Sequence, residues 1–190
     1  MKNLLLLISF FAFSVFGSAY SSDKKPSLKN TLVFPVSGKR SSVGGYWGEY
    51  REGNRKHKGI DIYARKGTPV VAVSDGLVTE LSNGGKGGKC VWVKSAHHPW
   101  TAYYAHLDNQ KVRSGQLVKK GQIIGTVGNT GNARYTPSHL HFGIYKGSVA
   151  VNPLPYVKKS PKIILATNKK AVSKKTTVSK SKPVKTHRRK

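Results

Sequence analysis

The chain has 190 residues, with 34 Lys and Arg against 7 Asp and Glu, a formal charge of +27. That length suits one ordinary domain with extensions. The charge predicts attraction to polyanions such as nucleic acid, anionic headgroups or an acidic wall, and leaves the fold open. A single cysteine, Cys90, excludes an intramolecular disulfide framework, and its place at the head of the apolar run Cys90–Val93 marks it as a small buried hydrophobe.

Lys2 and the apolar run Leu4–Phe16, followed by Gly17, Ser18 and Ala19, have the form of a secretory signal over residues 1–19. The run is short for a membrane span. No Cys follows it to carry a lipid anchor, and no other segment is long and apolar enough to cross a bilayer. The mature protein is therefore expected in the periplasm or outside the cell, with no transmembrane segment. Residues 20–31 are polar and lysine-rich and read as a linker. Residues 20–34 are short for an inhibitory segment, so the mature form is expected to act without further large-scale processing.

From residue 32 to 157 the pattern is β. Short β-branched and aromatic runs are divided by Gly, Asn, Asp and Pro. The clearest are Pro69–Val73, Gly76–Leu81, Cys90–Val93, Thr101–Tyr104, Gln122–Val127 and His139–Tyr145, with turn signals at Ser74–Gly76, Asn83–Gly85, Lys120–Gly121 and Asn129–Gly131. No stretch shows helical periodicity over three turns. One mostly β domain is expected over 32–157. Beyond it, residues 158–190 are dense in Lys and Arg, rich in Ser and Thr, and free of acids. The short apolar interruption Ile163–Leu165 is too small to offset ordering entropy, so this tail is expected to be disordered and to tether the protein to anionic polymers.

The histidines carry the chemistry. His139 and His141 sit two apart in an evident strand, so they share a face, with Cα atoms roughly 7 Å apart. Leu140 and Phe142 then face the core. His57 and Asp61 are four apart, a helical spacing that Gly59, Ile60 and Ile62 argue against. In a straight strand the pair would span about 13 Å, so a bend or bulge is expected near Gly59. His106 lies in Tyr104–Leu107. Two imidazoles and a carboxylate suit zinc, which takes N and O ligands and in hydrolytic sites keeps a position open. His97 and His98 read as an exposed loop pair, and Trp47, Tyr50 and Tyr135 by default as packing residues. Of these, Tyr50, Tyr135 and His98 are also candidates for substrate contact.

His57–Asp61 (His-Lys-Gly-Ile-Asp), Tyr104–Leu107 (Tyr-Ala-His-Leu) and His139–Phe142 (His-Leu-His-Phe), in this order, resemble the lysostaphin-type, LytM-like zinc endopeptidases of peptidoglycan. Gly67–Pro69, Ala72–Gly76, Val118–Gln122 and Gly125–Gly131 fit as well, so the resemblance covers about 35–155. It implies an antiparallel β domain with one Zn2+ at the floor of a groove. His57, Asp61 and His141 match the zinc ligands, and His106 and His139 match the pair beside the water nucleophile. The implied function is a secreted endopeptidase that hydrolyses peptide cross-links with a zinc-activated water, D-Ala–diaminopimelate being favoured over glycine bridges. Gly143 departs from the pattern, since many relatives carry Glu there, and the orientation of the neighbouring ligands is what that could alter. Expected partners are peptidoglycan and, through the basic tail, anionic envelope polymers. A monomer without specific nucleic-acid recognition is expected. The alternative is a non-catalytic wall-binding regulator of other hydrolases, against which counts the complete set at all five positions, His57, Asp61, His106, His139 and His141.

Overall fold

The computed structural model describes residues 32–165. The expected signal, the linker and the tail beyond Leu165 lie outside the described residues. In chain order the strands are β1 Ser42–Gly45, β2 Tyr50–Arg51, β3 Arg55–Lys56, β4 Ile60–Tyr63, β5 Pro69–Val71, β6 Gly76–Gly84, β7 Gly88–Ser95, β8 Thr101–Gln110, β9 Leu117–Val118, β10 Ile123–Val127, β11 His139–Lys146 and β12 Val149–Val151. The only helices among the described residues are a 3-10 turn at Gly131–Ala133 and one turn, α1, at Leu154–Val157.

All ladders are antiparallel. The main sheet runs β1-β4-β11-β8-β7-β6-β9, with β10 joining β5 to β8 and β12 extending β11. β2 and β3 form a separate hairpin. The expected strands all exist. β1, β4, β9, β12 and the β2–β3 hairpin were not legible, because Ser42–Gly45 is small and polar, β4 is only four residues long, and the others are only two or three residues each.

Alternation along the central strands builds the core. Leu140, Phe142 and Ile144 of β11 are fully buried against Ile60 and Ile62 of β4 and Tyr104 of β8. Burying Phe142 alone contributes about 1.5–3 kcal/mol. The opposite face of β11 carries His139, His141, Gly143 and Tyr145. One sheet face therefore makes the core and the other the floor of a groove. Cys90 is buried as expected, but on the groove side of β7. Its Sγ lies 3.0 Å from the Tyr103 hydroxyl, and burial pushes the thiol pKa up, which leaves it an unreactive thiol.

The packed chain does not stop at Val157. Phe34 N donates to the Pro161 carbonyl at 2.9 Å and Gly38 N to the Ile163 carbonyl at 2.8 Å. Lys162 Nζ donates to the Ser41 carbonyl at 2.8 Å and sits 5.0 Å over the Phe34 ring. Residues 158–165 are thus a strap on the segment leading into β1. This corrects the domain end at Val157 and the disordered start of the tail. Of the apolar interruption Ile163–Leu165, Ile163 is tied down because its carbonyl accepts from the Gly38 amide of the domain.

Candidate metal centre and its groove

Strand register brings most of the site together. Asp61 of β4 pairs directly with His141 of β11, and His141 with Ala105 of β8. His139 lies two residues away on the same face. His57 stands just before β4, where the chain turns between Lys56 and Ile60, the bend expected near Gly59. Its backbone is held by the segment after β1, since Gly48 N donates to the His57 carbonyl and His57 N to the Glu49 carbonyl.

Three ligand-type atoms converge. His57 Nε2 lies 2.9 Å from His141 Nδ1 and 3.1 Å from Asp61 Oδ1, and His141 Nδ1 lies 3.0 Å from Asp61 Oδ1. Among the described residues this is the one group of His, Cys, Asp or Glu close enough to share an ion. A tetrahedral ion with bonds of about 2.0–2.1 Å separates its ligand atoms by roughly 3.3 Å. The triangle is within a few tenths of an ångström of that, and its two imidazoles and one carboxylate are donors that zinc accepts. The residues present fit the ion.

The surroundings hold these side chains in place. His57 Nδ1 lies 2.8 Å from the Tyr46 carbonyl. Donation there puts the proton on Nδ1 and leaves the Nε2 lone pair for a metal. Arg51 also approaches Nδ1, at 2.9 Å. In that tautomer the contact is not a hydrogen bond, because both groups are donors. Arg51 instead donates to Asp61 Oδ2 at 2.8 Å, which leaves Oδ1 for the cluster. Burial opposes the Asp61 charge, but the close His141 and His57 imidazoles outweigh it and hold the carboxyl well below the usual carboxylate range. Burial lowers the His141 pKa, with Asp61 pulling the other way.

His106 reaches the site through a bulge. Tyr104 pairs with Val91 but Leu107 with Lys89, so β8 carries one extra residue there. By strict alternation with Tyr104, His106 would point into the core. A left-handed backbone at His106, φ 61°, turns it to the groove. Its Nδ1 lies 2.9 Å from the Thr130 carbonyl. Thr130 is fixed in turn, its hydroxyl accepting from Lys89 N and donating to the Leu107 carbonyl. Gly88 and Gly131, both at positive φ, let the two loops approach where any Cβ would collide. His139 has the same arrangement, with Nδ1 2.8 Å from the Pro137 carbonyl. Both rings therefore carry their proton on Nδ1 and present a bare Nε2 to the groove. The rings pack edge to face at 5.0 Å. Burial, reinforced by His141 and His139, lowers the His106 pKa to about 4, so it is neutral and able to accept a proton at pH 7.

The groove has a volume of about 630 Å³, and all five of these residues line it. The other three candidates do not. Tyr50 is 68 % exposed beside Lys56, and Tyr135 is 92 % exposed. His98 stacks on Trp100 at the far end of β7 and β8. The groove aromatics are instead Tyr103 and Tyr145, backed by Trp92. Their signal was present in the sequence, since Tyr145 is four strand positions from His141 and Tyr103 pairs opposite Gly143. Arg51 and Lys86 were missed because they come from the hairpin and a turn, where no periodicity marks a face.

An antiparallel β domain with a His-Asp-His cluster on a groove floor defines a metallopeptidase architecture. Residues 55–153 match Peptidase family M23, and the chain belongs to that family. It is 36% identical over 99 residues to the peptidoglycan DD-endopeptidase ShyC of Vibrio cholerae, covering 52% of this chain and 22% of that protein. It is 43% identical over 103 residues to the murein hydrolase activator NlpD of Salmonella dublin, covering 53% of this chain and 26% of that protein. The crystallised catalytic domain of lysostaphin from Staphylococcus simulans superimposes with a TM-score of 0.56 at 34% identity, covering 62% of this chain and 92% of that domain. The match spans about a quarter of the length of these two curated relatives. Among the described residues no helix is long and apolar enough to cross a membrane.

Proposed function

We propose that the chain is a secreted zinc endopeptidase that hydrolyses peptide cross-links of bacterial peptidoglycan, at D-Ala–diaminopimelate rather than glycine bridges. The observation that carries this reading is the His57, Asp61 and His141 triangle flanked by the imidazoles of His106 and His139, whose Nδ1 atoms rest on backbone carbonyls so that both aim Nε2 at the groove. His57 Nε2, Asp61 Oδ1 and His141 Nδ1 would hold the ion. When bound, zinc supplies Lewis acidity to the water nucleophile and to the scissile carbonyl. His106 and His139 handle protons. A neutral Nε2 accepts the proton of the attacking water. The resulting imidazolium donates a hydrogen bond to the developing oxyanion and then the proton to the leaving amine. The Thr130 and Pro137 carbonyls fix both rings throughout and stabilise the cationic form as it appears. Arg51 is a positioning residue that holds Asp61 through its outer oxygen.

The likeness to a murein hydrolase activator favours a second reading, a wall-binding regulator without activity of its own. The experiment that separates them is digestion of purified sacculi by mature protein with and without zinc, beside His141→Ala, with products read by mass. Zinc-dependent release of cross-linked peptides, lost in His141→Ala, is expected. Zinc-loaded protein that binds sacculi and releases nothing would replace the first reading by the second. Secretion by the N-terminal signal, wall tethering by the tail and a monomeric state complete the proposal.

A further inference from the structure

We infer that the groove selects peptides with free carboxylates on both sides of the scissile bond, read by Arg55, Lys58 and Lys86. This rests on the endopeptidase reading and names a property of its substrate. The groove is lined by more cations than acids. Asp61 is already engaged by Arg51, His57 and His141, and Arg51 is shared between Asp61 and Glu49. Lys56 lies 5.9 Å over the Tyr50 ring. Arg55, Lys58 and Lys86 are exposed and make no ion pair among the described residues, and Glu52 is the one further acid on the lining. The groove therefore presents uncompensated positive charge to whatever enters it.

The placement of that charge is what gives it meaning. Lys58 follows His57 in the chain, and Arg55 stands in β3 just before it. Lys86 lies across the groove, in the turn between β6 and β7. It adjoins Gly87, whose carbonyl accepts from His106 N at 2.9 Å. The cations thus bracket the candidate metal centre, one set beside a ligand and the other beside a proton carrier. A peptide lying across the ligand triangle passes between them. Charges placed this way sort ligands by sign more than they add affinity. A diaminopimelate cross-link carries carboxylates on both of its stems, whereas a glycine bridge carries none.

The test uses one cross-linked peptide in two forms, with its carboxylates free or converted to carboxamides. Dissociation constants are measured by calorimetry on the metal-free full-length mature protein, which cannot turn the peptide over. kcat/KM is measured on the zinc-loaded protein. Exposed charge pairs are worth up to about fivefold each, so the amide form is expected to bind roughly tenfold more weakly at low salt, with the gap narrowing as salt rises. Lys58→Ala with Lys86→Ala should close most of the gap. Lys94→Ala, an exposed cation outside the groove, should leave it intact. Equal affinity for the two forms overturns the inference, as does a gap that Lys94→Ala shrinks as much as the groove variants do. A preserved binding gap without turnover would refute the endopeptidase reading alone. Equal binding with equal cleavage of both forms would refute this inference alone.

Discussion

Gly59 lies midway between His57 and Asp61, and its lack of a side chain is a condition for the cluster. A Cβ there would stand 2.6 Å from the Phe142 carbonyl oxygen and 2.7 Å from both Cε1 and Nε2 of His141, closer than the 3.0 Å that real Cβ contacts essentially never breach. The Phe142 carbonyl belongs to the central sheet and has little freedom to move, so in Gly59→Ala the backbone at residue 59 and the His141 ring must both give way. Restoring ordinary contact takes about 0.7 Å of relative movement between residue 59 and that ring in a densely packed site. That displacement acts on a ring whose Nδ1 sits 3.0 Å from Asp61 Oδ1. Disturbing the orientation of a ligand in this way lowers zinc affinity by about 10–100-fold, and overpacking costs about 1–3 kcal/mol of stability. Competition against a chromophoric chelator reads the first, and calorimetric melting of metal-free protein reads the second. Gly147→Ala is the control. Gly147 has φ 58° and open space around it, so it should lose stability from backbone strain while binding zinc normally. Zinc affinity in Gly59→Ala within twofold of the wild type would refute the reasoning.

Two further outcomes follow from the structure. In metal-free protein the His106 imidazole should titrate near 4 by NMR, well below its ordinary 6.5. Between those values the unfolded chain binds a proton that the folded one refuses. The stability His106 confers is therefore complete above pH 6.5 and drains away as pH falls toward 4, on the order of 3 kcal/mol in all. A His106 pKa of 6 or above would contradict the burial argument. Truncation after Val157 should cost about 1–3 kcal/mol, because it removes the Pro161 and Ile163 acceptors. Truncation after Leu165 should leave the melting temperature unchanged and lower only affinity for intact wall. Equal melting of the two truncated forms would show the strap to be dispensable.

The parts of the site that follow a period were legible in the sequence. His139 and His141 share a face because strands alternate, and Phe142 had to point inward for the same reason. His57 and Asp61 do not follow a period, since the chain turns between them, and only the resemblance joined them to the others. His106 breaks the rule outright. Its neighbour Tyr104 is a core residue two positions away, and an extra residue with left-handed backbone reverses the side chain. Lys86 and Arg51 arrive from a turn and a hairpin, and their positions depend on tertiary contacts that no local pattern encodes. Tyr50 and Tyr135 lie near site motifs in the chain and His98 on a loop, but none of the three side chains lines the groove.

The two halves of the groove differ in how they tolerate change. Asp61, His139 and His141 sit on hydrogen-bonded strands, where a single inserted residue would send each side chain to the opposite face. His106, Thr130 and Lys86 depend on a bulge and two loops that meet through glycines, and loops accept changes of length. Insertions in the 83–88 or 129–137 segments could reshape the wall that meets a substrate without altering the spacing of the ligand triangle. New preferences could therefore evolve on one wall while the ligand set on the other stays fixed.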